Sequence, residues 1–202
     1  MILLWLLIYF GVLVWSAISP HDRTTWVLES FPGWIALVVL VCTFKCFRLT
    51  SLAYWLVLLH CILLFAGGHY TYAQVPLFEW AKHWFGWSRN NYDRFGHLVQ
   101  GFVPAILTRE VVIRKRVFSS AAWRNFFIVC FCLALSASYE LFEWMMALIS
   151  KEGADAFLGT QGDVWDTQED MACALIGAIC ALLLLRRLHD QQLKKSRSVS
   201  AS

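Results

Sequence analysis

With 202 residues, 59% of them hydrophobic and only 15% charged, and a formal net charge of +3, the chain departs from the roughly 45–50% apolar and about 25% charged make-up of soluble domains. This balance excludes an ordinary water-soluble domain and predicts an all-α, polytopic membrane helical bundle whose partner is the lipid bilayer. No nucleic-acid partner is expected.

A helix needs about 20 apolar residues to cross a hydrocarbon core of roughly 30 Å. Six segments meet that description, at about 2–18, 32–47, 51–68, 94–113, 125–149 and 171–187, within one transmembrane domain over 1–189. The first is apolar from its start without a basic leader, and Ser16-Ala17-Ile18-Ser19 is a poor cleavage site. A retained span is therefore expected rather than a signal peptide. Only a few residues around Arg48 and Thr50 separate the second and third segments, which predicts an antiparallel hairpin. Over 76–88, Leu77, Trp80, Trp84 and Trp87 recur at helical spacing. They predict a short helix in the membrane interface, where tryptophan rings are at home, with a plain aromatic-belt loop as the alternative. The polar stretch 190–202 reads as a disordered cytoplasmic tail.

Orientation follows from the basic residues of the short loops. Lys45, Arg48, Arg114, Lys115, Arg116, Arg124, Arg186, Arg187, Lys194, Lys195 and Arg197 fall on one side. Arg23, Lys82, Arg89 and Lys151 fall on the other. Both termini are therefore expected in the cytoplasm. The seven cysteines lie in apolar runs without a CxxC pair, as buried thiols do. No P-loop, GxSxG, HExxH, dinucleotide fingerprint or zinc-finger spacing occurs.

Three polar clusters interrupt this apolar chain, and ionisable groups at a bilayer centre cost roughly 2.5–3.5 kcal/mol each on insertion scales. Asp93, His97 and Gln100 follow spacings of four and three, with Arg94 about 100° away around the helix. Glu140 and Glu143 share a face of the fifth span, and Asp163, Asp166 and Asp170 lead into the sixth. Under the expected topology all of them reach the outer side. Carboxylates with one imidazole suit a divalent cation such as Mg²⁺, Mn²⁺ or Zn²⁺. The expected roles are metal ligation by His97 and Asp166, catalysis by Glu140, Glu143 and Asp163, and ligand binding by Asp93, Arg94, Gln100 and Asp170. Polar glue between helices is the competing reading. His60 reads as hydrogen-bonded within the bundle, His69 and Tyr70 as candidates to line the site, and Arg109 and Glu110 as a pair at the inner end. Gly101 and Pro104 permit close packing and a kink.

The blocks Asn91–Phe102, Tyr139–Trp144 and Gly159–Gln168 resemble the signature blocks of the YjdF-like family of bacterial inner-membrane proteins, across nearly the whole chain. That resemblance implies a multi-pass protein of the bacterial inner membrane and no assigned activity. A looser outline, Asp93/His97, Glu140, then Asp166 ahead of Gly177 in the last helix, is similar to VanZ-like membrane proteins, except that Asp170 stands where those usually carry Asn. The expectation is an envelope protein with a periplasm-facing polar pocket for a small polar or lipid-head-group ligand, with metal-assisted hydrolysis or transfer as its chemistry. A small-solute or proton-coupled transporter and a structural assembly protein are the alternatives.

Overall fold

The computed structural model describes residues 2–149 and 160–199, with side chains as far as Lys195. Lys151, counted among the outer-side charges, Gly159 and residues 200–202 lie outside the described residues. The described chain is helical throughout, with no strand among its described residues. The helices are α1 (Ile2–Ala17), α2 (Arg23–Thr43), α3 (Ser51–Tyr70), α4 (Pro76–Phe85), α5 (Tyr92–Arg114), α6 (Ala121–Ile149), α7 (Asp166–Leu184) and α8 (Arg186–Val199). A short 3-10 turn, Tyr72–Gln74, links α3 to α4.

Local chemistry explains the boundaries. The Asp22 carboxylate accepts the Thr25 N–H at 2.7 Å and starts α2 well ahead of the expected residue 32, leaving Pro32 inside the helix. A side-chain cap of this kind is worth about 1 kcal/mol. The Thr25 N–H also holds the Asp22 carboxyl below its usual range. Thr50 caps α3 through Ala53 N–H. Gln161 and Gly162, both at positive φ, turn the chain into α7, which begins at Asp166 rather than the expected 171 with acids in its first turn. That placement suits the positive end of a helix dipole. The segment expected to be a disordered tail is helical as far as Val199, because His189 and Leu193, four residues apart, bury one face of α8.

Among the described residues four helices, α2, α3, α6 and α7, are long and apolar enough to cross a membrane. Helix α1 is apolar but has 16 residues. Helix α5 has 23 residues but carries Asp93, Arg94, Arg109, Glu110 and Arg114. Large apolar side chains such as Leu3, Val38, Phe126, Leu183 and Leu184 point outward, as expected of a surface facing acyl chains.

Two of the buried apolar clusters among the described residues tie the long helices together. One joins α1, α2, α3 and α5 around Trp5, Tyr9, Leu58, Phe65 and Val103. The Trp5 indole donates to Tyr54 O at 2.8 Å and the Tyr9 hydroxyl to Gly33 O at 2.9 Å. The other joins α5, α6 and α7 around Ile106, Ile128, Cys132, Ala178 and Ala181. Helix α5 packs most extensively on α7. A Cβ on Gly101 would lie 1.8 Å from Ala174 O, and one on Gly177 would lie 1.9 Å from Leu98 O. Backbone meets backbone here, as small residues allow where lipid gives no hydrophobic drive for helices to associate.

Gly101→Ala should therefore destabilise the bundle by about 1–3 kcal/mol or more, the cost of overpacking. Gly11→Ala, with nothing within 4 Å of the added carbon, should not. Thermal unfolding of the two variants in detergent checks this, and equal melting temperatures would disprove the close contact.

Candidate functional site

The α5–α7 contact sets two i, i+4 ridges side by side. On α5 the ridge runs Asp93, His97, Gly101, Ala105, Arg109, and on α7 it runs Asp166, Asp170, Ala174, Ala178, Leu182; every non-glycine member is buried. Small residues fill the middle, so the polar residues that precede them are pressed together at one end.

There, ligand atoms of Asp93, His97 and Asp170 all lie within 4.8 Å of one another. His97 Nε2 is 3.6 Å from Asp93 Oδ1 and 3.3 Å from Glu140 Oε1. Its Nδ1 faces Ser136 Oγ at 3.4 Å, and Gln100 lines the same cavity as the ring. Glu143 is buried beside Asp93, Glu29 and Glu140. Buried oxygens of Gln100 (Oε1), Glu140 (Oε1) and Asp170 (Oδ1) have no hydrogen-bond partner among the described residues. An unsatisfied buried acceptor costs about 1–3 kcal/mol, more if charged.

Asp166, expected beside His97 as the second metal ligand, is instead engaged by Arg89 Nη1. The same guanidinium lies 3.6 Å from Asp163 and 3.9 Å from Asp93. Arg94 binds Asp163 at 2.6 Å and also Glu169, so two arginines bracket the entry to α7. The Trp165 N–H, with Arg94 and Arg89 beside it, holds the Asp163 carboxyl below the ordinary carboxylate range. Two loops are stitched by Gln161, which accepts Asn90 N–H and donates to Asn90 O, each at 2.9 Å.

Arg89, Asn90, Ser136 and Glu29 were not among the residues expected here. Glu29, 1% exposed, accepts the Tyr139 hydroxyl at 3.2 Å and brings α2 to the site. The Asp22 cap was the signal for it, since a helix starting there carries Glu29 inward. The hydrogen bond that draws Arg89 to Asp166 spans 77 residues and had no local signal. His69 turns to Ser16 O at 3.1 Å, with its ring tilted against Trp15 and edge-on to Tyr70. In place of an open polar pocket, the described residues form a cavity of about 140 Å³ beside His97. Its walls are largely apolar and aromatic, with His60, Tyr72, Tyr92 and Tyr139 beside Gln100.

Arg109 and Glu110 form a second network at the other end of α5, and the structure closes it completely. Glu110 accepts from Thr50 N–H at 2.9 Å, Thr50 Oγ1 at 2.7 Å and Arg114 at 2.9 Å. Arginine only donates, so His189 Nδ1 accepts from Arg109 at 2.9 Å and its Nε2 donates to Glu110 at 3.2 Å. Arg109 also binds Asp190 at 2.6 Å.

A chain whose described residues form helices alone, four of them apolar and long enough to cross a membrane, with ionisable groups buried between them, is a multi-pass membrane protein. The chain belongs to the predicted membrane protein family DUF2238, whose model matches residues 1–191. Inner membrane protein YjdF of Escherichia coli (strain K12) is similar to it, 46% identical over 184 residues covering 91% of this chain and 88% of that one. This is thus an inner-membrane protein. No solved structure matches it.

Arg89→Met should cost about 3–5 kcal/mol, the range for removing one partner of a buried pair. Adding Asp166→Asn should recover part of it, and chemical denaturation of the two variants measures the difference. A depressed carboxyl contributes stability above its unfolded pKa and loses it as pH falls through the folded value. Asp163→Asn should therefore melt lower than wild type at neutral pH, and the gap should close below about pH 4. A gap independent of pH would show that the ion pairs of Asp163 do not stabilise the fold.

Proposed function

We propose that Asp93, His97 and Asp170 bind a divalent cation and that the site carries out metal-assisted hydrolysis or transfer on a small polar or lipid-head-group ligand. The observation that carries this reading is the meeting of three ligand atoms from buried residues within 4.8 Å, next to acceptors of Asp170 and Glu140 that no described group satisfies. Buried carboxylates need a proton, a paired cation or a metal. Arg89 answers for Asp166 and leaves the inner group to another cation.

A bound cation would supply Lewis acidity and an activated water. Glu140, 3.3 Å from His97 Nε2, is the base that takes a proton beside that centre, with Glu143 behind it. Asp163 and Arg89 orient the first turn of α7. Gln100 offers its unpartnered Oε1 to a ligand in the cavity beside His97, and Arg94 at the rim is the cation that an anionic head group meets first. Exposed Trp80, Trp84, Trp87 and Trp165 flank this end of the chain and favour a ligand drawn from the membrane interface.

The reading includes six spans, with α1 and α5 crossing beside the four apolar helices, and both termini in the cytoplasm. Basic residues gathered at the Glu110 end support that orientation, which puts the Asp93 end on the periplasmic face. Transport is less well supported, because buried Val99, Val103, Ala105 and Ile106 lie between the two polar ends of α5.

Purified protein equilibrated with Mn²⁺ or Zn²⁺ and then desalted should retain about one equivalent by elemental analysis. His97→Ala and Asp170→Asn should lose it, Asp166→Asn should keep most of it, and Glu140→Gln should bind metal without turnover. No retained metal in wild type, or equal retention in His97→Ala, would remove the proposal.

A further inference from the structure

At the opposite end from this site, a groove of about 390 Å³ opens between α1, α2 and α3. It falls within the roughly 300–1,000 Å³ of ligand pockets. Its walls come from Trp5, Leu37, Leu40, Phe44 and Tyr54, with Lys45 at the rim. The polar atom of Trp5 is already spent on Tyr54 O at 2.8 Å, so the slot offers apolar surface to its occupant.

The rim is basic. Lys45 and Arg48 are exposed, and among the described residues neither has an ion-pair partner. The Arg48 guanidinium lies 5.3 Å from the centre of the Phe44 ring, which itself lines the groove. Arg114 holds the connecting turn, donating to Arg48 O at 2.6 Å while lying 3.8 Å over the Phe47 ring. Nearby acids do not neutralise this rim. Glu110 is consumed by Thr50, Arg114 and His189, and Asp190 by Arg109.

We propose that this groove binds an anionic glycerophospholipid, with an acyl chain in the slot and the phosphate between Lys45 and Arg48. Two cations beside an apolar slot match a head group of net negative charge, whereas a head group bearing its own amine carries a charge that the rim repels. Juxtamembrane basic residues recognise anionic lipid in this manner. The inference is independent of the metal site.

The test is native mass spectrometry of the full chain in detergent, titrated with dioleoyl phosphatidylglycerol or dioleoyl phosphatidylethanolamine. Wild type should prefer the phosphatidylglycerol by about ten-fold, and the Lys45→Gln/Arg48→Gln variant should bind both to within about two-fold. Cys42→Trp, which fills the groove from its wall, should lower phosphatidylglycerol binding with the rim charges intact. Arg187→Gln/Lys194→Gln removes the same charge from exposed positions on α8 and should leave the preference unchanged. Equal binding of the two lipids by wild type would overturn the site. So would a preference that survives the rim variant, or one lost equally in the α8 variant. All four target side chains of the charge variants are exposed, and a thermal melt of each confirms that the fold is intact.

Discussion

The approach of α5 to α7 through Gly101 and Gly177 is the constraint on which the rest of the molecule depends. Each glycine lies against a carbonyl of the other helix, and a single added carbon would sit under 2 Å from it. In a bilayer the association of helices relies on this kind of packing. Because the contact runs along i, i+4 ridges, it also dictates which polar residues meet. Asp93 and His97 stand two turns and one turn before Gly101, and Asp166 and Asp170 stand two turns and one turn before Ala174. Bringing the glycine contact together brings the acids together.

The two ends of α5 answer the cost of buried charge in different ways. At the Glu110 end every participant has a partner: the carboxylate takes three donors besides His189, and Arg109 is shared between His189 and Asp190. That network ties α8 to the bundle and leaves nothing over. At the Asp93 end Arg89 and Arg94 hold the outer acids Asp163, Asp166 and Glu169. The inner acids retain buried oxygens that no described group satisfies. A closed network is a structural fastening. Spare acceptors around an imidazole are suited to holding a cation, and this asymmetry is why function is assigned to one end only.

Much of this was legible in the sequence because it depends on local periodicity. The spacing of Asp93, His97 and Gln100, of Glu140 and Glu143, and of Asp166 and Asp170 sets the faces they share. What local spacing cannot supply is a partner. Arg89 looked like one more loop charge, yet it takes Asp166 away from His97 and leaves Asp170 in its place. Glu29 was missed because the apolar run of the second span begins near residue 32, whereas Asp22 caps the helix ten residues earlier. The tail misled in the same way: its polar composition masked the pairing of His189 and Leu193 on one face. For Arg89 and for the tail, a buried contact over long sequence separation outweighed local composition.

Diffraction from crystals of the protein soaked in Mn²⁺, with anomalous scattering recorded at the manganese edge, tests the central claim most directly. The account predicts one strong anomalous peak bonded to Asp93, His97 and Asp170, between helices whose backbones touch at Gly101 and Gly177. A peak bonded to Asp166 in place of Asp170, or no peak between α5 and α7, would contradict it.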